Sequence, residues 1–173
     1  KSAEQGEAGA LNDLALFYYL GEGVEQNYEK AIELWQDAAE KNNAVSQYYL
    51  AKCYYEGKGV DQDYVVAVEW FTKSSDFGNA EAQNILGLCY YNATGVEQNY
   101  KMAFECFSKS AEQNNAEAQY NMANCYYYGN GTKMNYGKAA EWYQKAAEQG
   151  VSEAQYSIGR CYFLGQGVEN DYI

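Results

Sequence analysis

An asparagine or aspartate followed by tyrosine returns every 36 residues: Asn27-Tyr28, Asp63-Tyr64, Asn99-Tyr100, Asn135-Tyr136 and Asp171-Tyr172. Gly23, Gly59, Gly95, Gly131 and Gly167 keep the same spacing. A fixed period of this size marks a solenoid, in which each unit packs on its neighbours along the chain. Solenoids mostly expose long surfaces that hold other molecules, so the repeat points to a binding scaffold without naming what is bound.

Residues 79–114 define one unit. Asn79 or Gly78 is placed to cap a helix, with Glu81 near its positive end. Ala82, Leu86, Cys89 and Tyr90 form one apolar stripe, and Gly87 beside it admits a close neighbour. This helix is predicted to end near Tyr91 or Asn92. The loop is clearest as Gly21-Glu22-Gly23-Val24, Gly57-Lys58-Gly59-Val60 and Gly165-Gln166-Gly167-Val168. Its glycines suit a tight helix exit, and the Val can turn into the core. Asn99 caps a second helix, whose buried face is predicted to be Tyr100, Ala103, Phe104, Phe107 and Ala111. Each unit is a helical hairpin too small to bury its own face. Stacking is expected to bury Ala31, Ala67, Ala103 and Ala139, and the bulky series Trp35, Phe71, Phe107 and Tyr143.

This frame divides the chain into units at 7–42, 43–78, 79–114 and 115–150, with a partial fifth at 151–173. Lys1–Gly6 matches Lys145–Gly150 and reads as the end of a preceding unit. Both ends cut through a repeat, so the chain is expected to be part of a longer protein. Compartment signals then lie outside it.

The 24 acidic and 12 basic residues give a net charge of -12. Such a field repels phosphate backbones and anionic lipid, which argues against nucleic acid as a partner. The apolar runs are far shorter than the roughly 20 residues of a membrane span, which argues against insertion. The absence of histidine removes Ser-His and Cys-His nucleophilic pairs. Cys53, Cys89, Cys125 and Cys161 share one register, while Cys106 stands apart. Equivalent residues of successive helix layers sit about 8–10 Å apart, whereas a disulfide needs Cα atoms within about 7 Å. The cysteines are therefore read as small apolar fillers. No catalytic residues, metal site or cofactor is expected: histidine is absent, cysteines in separate layers cannot form a tetrahedral zinc site, and the Gly-x-Gly strings follow helices and lack the third glycine of a nucleotide loop. Sequons at Asn92 and Asn130 carry little weight in a chain so rich in Asn.

The string Ala116-Glu117-Ala118-Gln119-Tyr120-Asn121-Met122-Ala123 resembles the opening helix of a Sel1-like repeat. The Gly-x-Gly-Val loop, the Asn/Asp-Tyr pair and the run Lys138–Gly150 resemble its second half. The resemblance spans essentially the whole chain and implies an all-α, right-handed solenoid related to tetratricopeptide repeats. It also implies a non-enzymatic adaptor for protein complexes. The departures are Glu25, Asp61, Glu97, Lys133 or Glu169 where relatives often have Pro, Ala93 for a loop Gly, and Thr132 for the loop Val. Cysteine-rich relatives carry paired cysteines in each repeat, and this chain does not.

By analogy with tetratricopeptide repeats, first helices line the concave face. Carried across, this places Tyr48, Lys52, Tyr55 and Glu56, then Asn84, Leu88, Tyr91 and Asn92, in a partner groove. Tyr120, Asn124, Tyr127 and Tyr128 follow, then Tyr156, Arg160 and Phe163, with Asn12, Leu16 and Tyr19 at the first unit. Tyr supplies contact area at small entropic cost, and Asn can pair with an extended backbone. Lys52 and Arg160 could clamp a carboxylate. Tyr55, Tyr91 and Tyr127 can equally be packing residues between helices, and packing is the lesser alternative for Tyr48, Tyr120 and Tyr156. A structural array is the second functional reading, with self-association through the last helix, whose Ala154, Ile158 and Tyr162 stripe lacks a partner. A hydrolase, suggested for some cysteine-rich relatives, is the remote third.

Overall fold

The computed structural model describes residues 2–168, with side chains from residue 6 onward. Among these, nine helices follow one another: α1 (Ser2–Leu20), α2 (Tyr28–Glu40), α3 (Ala44–Glu56), α4 (Tyr64–Asp76), α5 (Ala80–Asn92), α6 (Tyr100–Glu112), α7 (Ala116–Tyr128), α8 (Tyr136–Glu148) and α9 (Ser152–Leu164). The principal contacts join helices that are successive in sequence. This is the geometry of stacked hairpins.

The helix boundaries follow from capping. Asn27, Asp63, Asn99 and Asn135 each accept a backbone N–H in the first turn of a second helix. Asn43, Asn79 and Asn115 do the same for first helices. The fifth Asp-Tyr pair lies outside the described residues. First helices α3, α5, α7 and α9 end in a left-handed residue: Gly57, Ala93, Gly129 and Gly165. Second helices end two residues before another left-handed position, occupied by Asn42, Gly78, Asn114 and Gly150.

α1 runs through Gly6 without a break, whereas the equivalent Gly78 and Gly150 stand in turns between helices. Glu7 stands where Asn43, Asn79 and Asn115 cap their helices. Val151, which also lacks a side-chain cap, instead buries its side chain in the core. Glu7 does neither and pairs with Lys41 at 2.8 Å.

The predicted core is in place. Ala31, Ala67, Ala103 and Ala139 are fully buried, as are Trp35 and Phe71, with Phe107 and Tyr143 nearly so. Gly87 is buried against the Phe107 ring, where a Cβ would come within 2.6 Å of the ring edge. Val60, Val96 and Val168 pack on the core from their loops, whereas Val24 is exposed. Two expectations need correction. Tyr100 is not buried; it lies exposed at the start of α6, edge-to-face on Tyr91 at 5.0 Å. On α9, Ala154 and Ile158 are buried, because α8 packs on the next first helix as well as on its own. Only Tyr162 of that stripe is open.

A ladder of glutamines joins one hairpin to the next. The amides of Gln47, Gln83, Gln119 and Gln155 donate to carbonyls of the preceding second helix, at Ala39, Ser75, Ala111 and Ala147. These carbonyls lie in the last turn and also accept the backbone N–H three residues on, so the glutamine is a second donor. In two units the loop closes the network: Gln113 donates to Gln83 Oε1 at 2.7 Å, and Gln149 to Gln119 Oε1 at 2.8 Å. Phe77 occupies the equivalent loop position one unit earlier, and Gln47 Oε1 is left buried without a donor. An unmade buried hydrogen bond costs about 1–3 kcal/mol. Phe77→Gln is therefore expected to stabilise the chain by about 1 kcal/mol, read as a higher urea midpoint. An unchanged or lower midpoint would show that the orphan oxygen is not repaired.

Candidate binding cleft on the first helices

Two adjoining clefts open along the first helices. The larger, of about 400 Å³, is lined by Tyr120, Asn124, Tyr127 and Tyr128 of α7, Tyr143 of α8, and Ser152, Glu153, Tyr156, Ser157 and Arg160 of α9. The smaller, of about 250 Å³, is lined by Leu88, Tyr91 and Asn92 of α5, Phe107 of α6, and Tyr120, Asn121, Asn124 and Tyr128 of α7. Tyr120, Asn124 and Tyr128 belong to both walls, so the clefts form one surface across α5, α7 and α9. Helical geometry makes this possible, because positions four and three apart share one face.

Several wall residues are held by the packing behind them. Tyr143 donates its hydroxyl to Asn124 Oδ1 at 2.6 Å, and its ring tilts against Tyr120 at 5.8 Å. Burial pushes the Tyr143 phenol above its ordinary pKa, so it stays a donor. Tyr127 donates to Gln166 at 2.7 Å, and the Asn130 amide donates to Tyr91 at 2.8 Å. The Lys58 ammonium makes the matching bond to Tyr19 at 3.2 Å. Tyr19, Tyr55, Tyr91 and Tyr127 also each meet the first tyrosine of the following helix edge-to-face at 5.0–5.2 Å. Tyr19, Tyr91 and Tyr127 are thereby bonded to the following unit, and Tyr91 and Tyr127 also line the clefts. The engaged amide of Asn130 also leaves that sequon embedded in an inter-repeat bond.

Of the residues predicted for a groove, the structure brings Leu88, Tyr91, Tyr120, Asn124, Tyr127, Tyr156 and Arg160 to this surface. Tyr48, Lys52, Tyr55 and Asn84 line neither cleft. Tyr48 is half-buried against Tyr49 and Phe71, and desolvation raises its phenol pKa. Lys52 pairs with Glu56 at 3.8 Å. Tyr55 packs on Tyr64 and Phe71. Asn84 is buried and accepts from Asn121 Nδ2 at 2.9 Å, bridging α5 to α7. Sequence reasoning missed Asn121, Ser152, Glu153 and Ser157. Asn121 and Ser157 directly follow the predicted Tyr120 and Tyr156, and a polar residue there was the available signal.

The cysteines are buried and free. Burial pushes the thiols of Cys53 and Cys125 up to about 12, and those of Cys89 and Cys106 to about 11. Thiols held protonated this way are poor nucleophiles.

A stack of helical hairpins of this kind is an α-solenoid. The Sel1 repeat profile matches residues 8–43, 44–79, 80–115, 116–151 and 152–173. The chain belongs to the Sel1 repeat family. Such repeats generally serve as protein-interaction scaffolds, and the fold is generally non-catalytic. Among solved structures, a protective antigen of uropathogenic Escherichia coli is 36% identical with a TM-score of 0.92, covering 98% of this chain and 36% of that one. A Sel1 repeat protein from Oxalobacter formigenes is 32% identical with a TM-score of 0.90, covering 96% of this chain and 69% of that one. Cysteine-rich protein B of Helicobacter pylori is less similar, at 26% identity and a TM-score of 0.56, covering 68% of this chain and 90% of that one. The chain thus spans about a third of the length of the Escherichia coli antigen. No curated protein matches it. No helix among the described residues is long and apolar enough to cross a membrane.

Proposed function

We propose that this chain is a non-enzymatic peptide- or protein-binding module whose ligand lies across the first helices α5, α7 and α9. The observation that carries this reading is the continuity of the two clefts through Tyr120, Asn124 and Tyr128. A surface spanning three helices suits an extended segment better than a compact small molecule. Tyr156 and Tyr128 supply exposed rings, at 72% and 58%. Asn124 accepts from Tyr143 through Oδ1, which leaves its amide directed to other partners. Rigid aromatic area with adaptable amides is the composition of efficient paratopes.

The test starts from peptides selected against the chain in a random display library. Tyr120→Ala and Tyr156→Ala are each expected to weaken the selected peptides about tenfold, which corresponds to about 1.4 kcal/mol. Tyr48→Ala, outside the clefts, is expected to leave affinity unchanged. Selected peptides that bind the two cleft variants as tightly as the parent chain would remove the site from this surface.

A further inference from the structure

Building on that reading, we propose that the cleft between α7 and α9 recognises a peptide carboxylate, with Arg160 as its anchor. The chain is strongly acidic, so a cation at a binding surface is an exception to the surrounding field. Arg160 is the one basic side chain among the residues lining the two adjoining clefts. Its situation differs from that of the other cation predicted for the groove. Lys52 faces Glu56 at 3.8 Å, and Lys41 and Lys58 also have carboxylate partners, at 2.8 and 2.6 Å. Among the described residues, no carboxylate lies within ion-pairing distance of Arg160. Its guanidinium instead sits over the Tyr127 ring, 4.9 Å from the centroid.

Tyr127 and the neighbouring Tyr128 also accept hydrogen bonds from the guanidinium, and its remaining N–H groups are the donors that can meet a carboxylate. Tyr127 is itself fixed by its bond to Gln166 and its contact with Tyr136. The platform under the arginine is therefore rigid, and less side-chain entropy is lost when an anion docks. The exposed ring of Tyr156 and the hydroxyls of Ser152 and Ser157 stand at the same cleft. They offer apolar contact and further donors beside the charge. Glu153 also lines the cleft. One nearby negative charge opposes a doubly charged phosphate more than a singly charged carboxylate, which favours the carboxylate. The source of that group is either a C-terminus or an Asp or Glu side chain.

The experiment uses three fluorescent random hexapeptide pools. The first has a free C-terminus and no Asp or Glu. The second is amidated and contains Asp and Glu. The third is amidated and contains neither. Binding is measured by affinity selection and anisotropy on the full chain, on Arg160→Gln and on Arg160→Lys, with circular dichroism confirming that both variants are folded. The first or second pool is expected to yield binders at least about tenfold tighter than the third, with that advantage lost in Arg160→Gln and partly kept in Arg160→Lys. Enrichment in the first pool identifies a C-terminal carboxylate, and enrichment in the second an acidic side chain; either supports the proposal. Equal binding of all three pools, still abolished by Tyr156→Ala, would overturn the carboxylate anchor while leaving the binding module intact. Carboxylate-dependent binding that Arg160→Gln does not weaken would remove Arg160 from the role. Failure of every pool to bind would overturn both readings.

Discussion

Gly131→Ala is expected to destabilise the chain by about 2–4 kcal/mol, the sum of left-handed backbone strain and forced overlap. Gly131 has φ +74°, and a Cβ there would lie 2.0 Å from the carbonyl oxygen of Tyr100. The atom it meets is backbone at the start of α6, so no side-chain rotation relieves the clash. The hairpin α7–α8 would have to move off the hairpin α5–α6. In a linear array, the interface between neighbouring units is a large part of the stability. The same shift would break the bond from Asn130 to Tyr91 and disturb the wall of the smaller cleft. Gly23 provides the control: its φ is +73°, yet nothing lies within 4 Å of a built Cβ. Gly23→Ala should cost only about 1 kcal/mol, from backbone strain alone. Ala93 already occupies a left-handed position at φ 59°, which shows that this strain by itself is tolerated. Urea unfolding of both variants decides the matter, and equal losses would mean that the contact with Tyr100 contributes nothing.

Phe107→Ala is expected to lose about 3–5 kcal/mol, the usual range for emptying an aromatic core position. Phe107 is 1% exposed and packs with Ala103, Ala111, Ala118, Met122 and Cys125. Gly87 lies against its ring from the other side and has no side chain to extend into the space left behind. The ring also forms the back of the smaller cleft, so the variant should weaken ligands that reach α5 even when it remains folded at low temperature. Met134→Ala, at a residue 59% exposed, is the control and should fall within about 0.5 kcal/mol of the parent. A Phe107→Ala loss below about 1 kcal/mol would indicate that neighbouring side chains collapse into the cavity.

Both variants act at positions whose importance could be read from spacing. The consequence at Gly131 could not. Recurrence identified the second loop glycine, and the left-handed exit explained why it is glycine. The approach of Tyr100 from the preceding unit emerged only when the hairpins were stacked. The groove residues divide in the same way. Spacing placed Tyr120, Asn124, Tyr156 and Arg160 on one helix face, and they do line one cleft. The same spacing assigned Asn84 and Lys52 to that face, where a bond from Asn121 and a pair with Glu56 engage them instead. Equivalent positions in different units thus take different roles, because their neighbours across the stack differ.

Periodicity, capping residues and turn glycines are local in origin. They determined the helices, the 13-residue length shared by α2 through α9 and the order of the stack, all from the sequence by itself. The glutamine ladder, the exposure of Tyr100, the burial of Ile158 and the rigid seat of Arg160 were decided only by the tertiary structure. The ladder amides reach back eight residues into the preceding hairpin while its loop closures span 30, Arg160 meets Tyr127 of the preceding unit, and Ile158 is covered by a second helix that packs against two first helices at once. A single sequence records what each residue is, whereas these features depend on which atoms another repeat brings within reach.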